Sequence, residues 1–223
     1  TQHFIKNIVP LYQNEDAPEF TLHFRLWPMG EDIEDGSIPN ALALPAGDII
    51  VTDRFIELAQ SQDEIDIVLL HEMGHVIERH SLEQVIEGSA IAITISLAFG
   101  DVSWLADMGV GVGSFLISSF YSRSHEAEAD LFAYDHSLQA GINPASLGLI
   151  LNRMEQDMSF SSCDDDQTEQ QCTDMTKADD NEEEGLSSYF STHPSSAERT
   201  AMGKRYQTCF EQGLAVCSET NHK

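Results

Sequence analysis

Basic residues are scarce in this chain: 11 Lys and Arg stand against 38 Asp and Glu in 223 residues, a formal charge of −27. Nucleic-acid binding needs clustered cations to neutralise phosphates, so this balance excludes a nucleic-acid partner, and with it simple attraction to anionic lipid. The charge reads as solubility. Long unbroken apolar runs are also lacking. The most apolar stretch, residues 88–120, is interrupted by Gly100, Asp101 and Asp107, whereas a membrane-spanning helix needs about 20 consecutive apolar residues. It reads as an apolar helical hairpin that covers a core, lids a site or makes a peripheral membrane contact.

No C-x-x-C spacing occurs, which excludes a zinc knuckle. The four Cys form two close pairs, Cys163 with Cys172 and Cys209 with Cys217. An even count points to disulfides and to an oxidising compartment, periplasmic or envelope-associated rather than cytoplasmic. Four Cys allow more than one connectivity, and the short loops favour local pairing within each pair. No D-x-D-x-D-G loop is present, so the acidic residues do not spell a calcium site. Residues 157–190 instead read as an acidic, mobile, solvated loop. The chain starts Thr1-Gln2 without Met, which fits removal of a signal peptide and equally an engineered start.

The 41% of hydrophobic residues suffice for one core, and the expectation is a single domain over residues 1–223. Residues 1–12 carry a weak helical pattern broken by Pro10. Phe20, Leu22, Phe24 and Leu26 alternate with polar residues as in a half-buried strand, which puts His23 on its surface. Ala41 to Leu44 and Ile49 to Thr52 flank Pro45-Ala46-Gly47-Asp48 as a hairpin, and a helix follows over 53–60. Ser61-Gln62-Asp63-Glu64 is a capping box that starts a longer helix reaching His80 or beyond. Its apolar residues, from Ile65 to Ile77, cover most of the circumference, the mark of a helix passing through a core. Further helices are expected from about Ser114 to Gln139 with Gly141 as the stop, from Asn143-Pro144 to about Met154, and from the capping box Ser195-Ser196-Ala197-Glu198 to about Tyr206.

The buried helix carries His71-Glu72-Met73-Gly74-His75. This H-E-x-x-H pattern sets two imidazoles at i and i+4 on one face beside a carboxylate that can serve as base, the arrangement of a zinc peptidase. A catalytic zinc needs a third protein ligand. The continuation after His75 lacks the G-x-x-H of metzincins, so His80 reads as a helix-end residue favoured by the macrodipole. The remaining supply is a carboxylate of a later helix, from among Glu126, Glu128 and Asp130. Glu128 lies about 200° round that helix from Glu126 and reads as solvent-facing.

Four motifs, in this order and spacing, carry a resemblance. Asn40 to Gly47, His71 to His75, Ser122 to Asp130 and His193-Pro194 with Arg199 resemble the HtpX/BepA-like zinc endopeptidases, the peptidase family M48 that also holds the CAAX prenyl proteases. The match spans roughly residues 35–205. It implies an α+β, mainly helical, zincin-like metalloprotease domain with a small mixed sheet whose edge strand borders the active-site cleft. It further implies one zinc ion per chain held by His71, His75 and Glu126, with Asp130 orienting a ligand imidazole and Glu72 as general base. Ala127 and Ala129 would let the two helices approach. His193 and Arg199 resemble residues near the metal on its open side, where both would stabilise the oxyanion or His193 would occupy the fourth zinc position. Leu42, Ala43, Leu44 and Pro45 resemble the edge strand on which an unfolded polypeptide substrate pairs, though Leu42 and Leu44 are equally ordinary core residues. The implied activity is endopeptidase cleavage of unfolded or misassembled envelope proteins in quality control. The competing reading is a latent, chaperone-like peptide-binding protein with its zinc capped by His193. The multiple transmembrane helices and long helical repeats of some relatives are missing, which argues against prenyl-peptide cleavage inside a membrane chamber.

Overall fold

A computed structural model describes residues 22–24, 39–87, 121–161, 193 and 197–217. The expected N-terminal helix, the 88–120 hairpin, the Cys163–Cys172 pair, the cap at Ser195 and most of the acidic loop lie outside these residues, as does the side chain of His23.

Three short strands, β1 (Leu22–Phe24), β2 (Ala41–Ala43) and β3 (Ile49–Val51), form a mixed sheet in the order β1-β3-β2. β2 and β3 make the expected hairpin, antiparallel with Ala41 opposite Val51 and Ala43 opposite Ile49. Its turn closes through the Leu44 N–H to the Asp48 carbonyl, 2.7 Å, and Gly47 takes the positive φ of 92° that favours glycine. β1 lies parallel to β3 on its other side. Among the described residues β2 is therefore an edge strand.

Thr52 ends β3 and caps α1 (Asp53–Leu58), its hydroxyl accepting from the Phe55 amide. Ser61 then caps α2 (Gln62–Ile77) by accepting from the Glu64 amide, while the Glu64 carboxylate reaches back to the Gln60 N–H at 2.7 Å. Ile67, Val68, Leu69, Leu70 and Met73 have no exposed surface, so α2 runs through the core as its pattern implied. It stops earlier than expected, at Ile77. Arg79 adopts a left-handed φ of 61°, and helix resumes over residues 80–87.

The next helix also differs from expectation. α3 (Arg123–Ala140) begins at Ser122, whose hydroxyl accepts from the His125 amide at 3.2 Å, and not near Ser114. Gly141 ends it in the left-handed conformation, as predicted. α4 (Ala145–Ser161) runs past Met154 into the segment expected to be mobile, because Arg54 of α1 binds both carboxylate oxygens of Asp157. α5 (Ala197–Glu211) continues beyond Tyr206, where a disulfide between Cys209 and Cys217 closes its end. Tyr206 stacks on Tyr134 of α3 with centroids 5.2 Å apart and donates to Asp135 at 2.5 Å, which docks α5 on α3.

Glu64 is buried and joins α2 to α4, receiving the Arg153 guanidinium at 2.7 and 3.1 Å. Burial alone would raise its pKa, but Arg153 and the Gln60 amide outweigh that and hold the carboxyl below its ordinary value. A depressed folded-state pKa stabilises above the unfolded pKa and is lost as pH falls through the folded value. Glu64→Gln should thus cost about 2 kcal/mol in urea unfolding at pH 7, and the gap to the unsubstituted chain should close progressively below about pH 4.

Candidate metal centre

α2 and α3 cross where neither carries bulk. A Cβ placed on Gly74 would sit 2.9 Å from Ala129 Cα and 3.2 Å from its carbonyl oxygen, so the backbones touch through Gly74 and Ala129. Ala129 plays the expected close-packing role, while Ala127 is only half-buried. One turn before Ala129, this crossing presents Glu126 to the His71 and His75 face of α2.

His71, His75, Glu126 and His193 bring one donor atom each to a buried cluster. His71 Nε2 stands 3.1 Å from His75 Nε2 and 3.3 Å from His193 Nδ1. Glu126 Oε1 is 3.2 Å from His75 Nε2 and 2.9 Å from His193 Nδ1, and its Oε2 is 3.5 Å from His71 Nε2. A tetrahedral zinc with bonds of about 2.0 to 2.1 Å separates its ligands by about 3.3 Å. Hydrogen bonding cannot account for the same set, since a neutral imidazole has one N–H, and His71 and His75 turn their Nδ1 atoms to other partners. The donors fit a tetrahedral divalent cation.

The surroundings are built for the same charge. His71 Nδ1 lies 3.0 Å from Asp130 Oδ1. Arg199 grips Asp130 with Nε and Nη2, at 2.6 and 2.8 Å, and reaches Glu126 Oε2 with Nη1 at 2.6 Å. Burial lowers the pKa of His71, but Asp130 and Glu126 more than reverse it, to about 9. His75, for which burial dominates, is held well below the usual range. Burial would also raise Glu126, yet the three imidazoles hold it well below the ordinary carboxylate value. Glu72 alone among these carboxyls is pushed up, by burial, against the opposing influence of His193 and His71. The backbone N–H of Ala43 on the edge strand also opposes the rise, and His193 Nε2 stands 3.5 Å from Oε1.

Several expectations need revision. Arg199 is buried and spans two carboxylates, so it orients Asp130 and Glu126 instead of facing an open side. The main-chain groups of Leu42 and Leu44 are engaged within the hairpin. Leu44 bonds Asp48, Pro45 is an exposed turn residue, and the alternating ladder points Leu42 toward β3. Ala41 and Ala43 turn outward, and the Ala43 carbonyl is taken by the Ser81 hydroxyl at 2.8 Å and the Tyr121 hydroxyl at 3.4 Å. His80, expected at the end of the motif helix, instead begins the helix that follows Arg79. It is buried with its Nδ1 2.9 Å from His75 Nδ1, and its Nε2 is 3.1 Å from Glu128, which is exposed but occupied. Tyr121, unmarked in the sequence, stacks on His75 with centroids 3.8 Å apart. A cavity of about 530 Å³ between α4 and α5 touches His193 and Arg199 but none of His71, Glu72, His75 or Glu126.

The model of Peptidase family M48 matches residues 14–205. The chain belongs to peptidase family M48. Among M48 relatives, it is 31% identical to the metalloprotease LoiP of Escherichia coli over 164 residues, covering 72% of this chain and 55% of that protein. It is also 31% identical to the protease HtpX of Legionella pneumophila strain Lens over 191 residues, 75% of this chain and 66% of that protein. A putative beta-barrel assembly-enhancing protease of Vibrio cholerae is 27% identical over 140 residues, 58% of this chain and 29% of that protein. The chain spans about half the length of the curated relatives it matches.

Gly74→Ala should force α2 and α3 apart, cost about 1 to 3 kcal/mol, and withdraw Glu126 from the two imidazoles. Elemental analysis is expected to show zinc retention falling well below that of the unsubstituted chain. Undiminished zinc content would show that the crossing does not set the site.

Proposed function

We propose that this chain is a zinc-dependent endopeptidase that cleaves unfolded or misassembled proteins of the cell envelope. The observation that carries the reading is Glu72: a fully buried carboxyl, its proton affinity raised by burial, beside four convergent metal donors. Such a group is costly unless it serves chemistry. His71, His75 and Glu126 would hold the ion. Zinc in such a site supplies Lewis acidity, polarising a scissile carbonyl and acidifying water. Glu72, with its raised proton affinity, takes the proton of the attacking water and returns it to the leaving amine. Asp130 fixes the tautomer of His71, and Arg199 fixes Asp130 and Glu126. A substrate strand adds to the β2 edge beside Ala41, since the Ala43 carbonyl is taken by Ser81 and Tyr121 and its amide serves Glu72. Main-chain pairing of this kind selects extended, unfolded segments over particular sequences.

Support for an envelope location comes from the Cys209–Cys217 disulfide and from the similarity to the Vibrio protein named as a beta-barrel assembly-enhancing protease. Support for latency comes from His193, whose Nδ1 takes the fourth donor position that a catalytic zinc keeps open. The same contact favours the second reading, a peptide holder with a capped zinc.

Casein cleavage by the zinc-loaded chain separates the two. Glu72→Gln should retain zinc and lose about 100-fold or more in turnover, while His193→Ala should raise turnover by opening the fourth position. Metal-replete protein that cleaves nothing, with or without His193, would leave only the holding role. A fall in turnover on His193→Ala at unchanged zinc content would give His193 the oxyanion role.

A further inference from the structure

His75 differs from His71 in what stands behind it. His71 meets a carboxylate directly, Asp130, whereas His75 Nδ1 meets a second imidazole, His80 Nδ1, at 2.9 Å. The protons can be assigned from the geometry. With Nε2 of His75 turned into the donor cluster, its Nδ1 carries the hydrogen and donates to the lone pair of His80 Nδ1. Neutral His80 then holds its own hydrogen on Nε2 and donates to Glu128 Oε2, 3.1 Å away. Each donor has one acceptor, and the line ends in a carboxylate whose side chain is 57% exposed.

The backbone is bent to make this contact. In a continuous helix His80, five residues on, would sit about 140° round the axis from His75 and point away from it. The left-handed Arg79 interrupts the helix instead, and returns His80 to the same side. A non-glycine residue in that conformation is strained, and its surroundings must offset the strain. The His80 ring is fixed further by stacking on His125, centroids 4.3 Å apart, while Tyr121 stacks on His75 from another direction at 3.8 Å. His125 is in turn 3.3 Å from Glu83.

We infer that His80 is the positioning residue for His75, linking this donor imidazole through a neutral two-ring relay to Glu128 at the protein surface. Its role is to fix the His75 tautomer and ring plane and to raise the basicity of Nε2, as the carboxylate does for His71. The inference rests on the reading of His71, His75 and Glu126 as a zinc site.

The test is zinc affinity of the full chain by competition with a chromophoric chelator, together with the visible spectrum of the cobalt-loaded protein. His80→Leu, which can neither accept nor donate, should weaken zinc binding about 10- to 100-fold and shift the cobalt bands. His80→Gln can accept from His75 and donate to Glu128, and should restore affinity to within about threefold of the unsubstituted chain. Glu128→Ala, at an exposed position that folding tolerates, should weaken binding about threefold or more. Unchanged affinity and spectrum in His80→Leu or in Glu128→Ala, or His80→Gln no better than His80→Leu, would overturn the relay. Failure of the unsubstituted chain to bind zinc would overturn the metal site itself.

Discussion

The contact of Gly74 with Ala129 is the constraint on which the rest of this structure depends. Two helices distant in sequence can place a carboxylate among imidazoles only if their backbones come within touching distance. A side chain at position 74 would hold them apart, and Glu126 would no longer meet His71 and His75. Other parts of the fold serve this crossing. The capped start of α2 at Ser61 sets where its two His fall, the Ser122 cap sets the phase of Glu126 on α3, and α5 delivers Arg199 across Asp130 and Glu126.

Concentrating three imidazoles and three carboxyls without water is unfavourable by itself. Arg199 offsets part of the negative charge, but it faces Asp130 and Glu126 and leaves the imidazole lone pairs directed at one another. A divalent cation resolves that conflict, with donor spacings already near those of a tetrahedron. The outer partners of the two motif histidines then divide into two kinds. His71 leans on a carboxylate locked by a buried guanidinium, and His75 leans on a relay that ends in solvent. One arm is rigid and internal, the other is open to the surface.

Local features of the fold were legible in the sequence where local chemistry decided them. The Ser61 capping box, the Gly141 stop, the Pro45 to Asp48 turn and the all-round apolar α2 each follow from residues within a few positions of one another. The grouping of His71, His75, Glu126 and His193 was implied by the resemblance to the family, and the structure brings these four together. What escaped were features set by distant partners. Arg79 gives no sign that it will take a left-handed conformation, since neither Gly nor Asn stands there, so the local sequence reads as helix through His80 and does not show its contact with His75. Asp157 belonged by composition to the acidic loop, yet Arg54, 103 positions earlier, draws it into α4. The apolar residues before Tyr121 masked the Ser122 cap. The outward register of Ala41 and Ala43, in place of Leu42 and Leu44, depended on which ladder positions bond to β3, which an alternating pattern of similar residues does not specify.

The most direct measurement of the central claim is X-ray absorption at the zinc edge on the metal-loaded, resting protein. The account predicts a four-coordinate shell of nitrogen and oxygen at about 2.0 Å, with outer-shell scattering from three imidazoles and no sulfur. A shell with sulfur, or with fewer than two imidazoles, would contradict the donor set; two imidazoles with an added oxygen would keep the site but remove His193 from the fourth position.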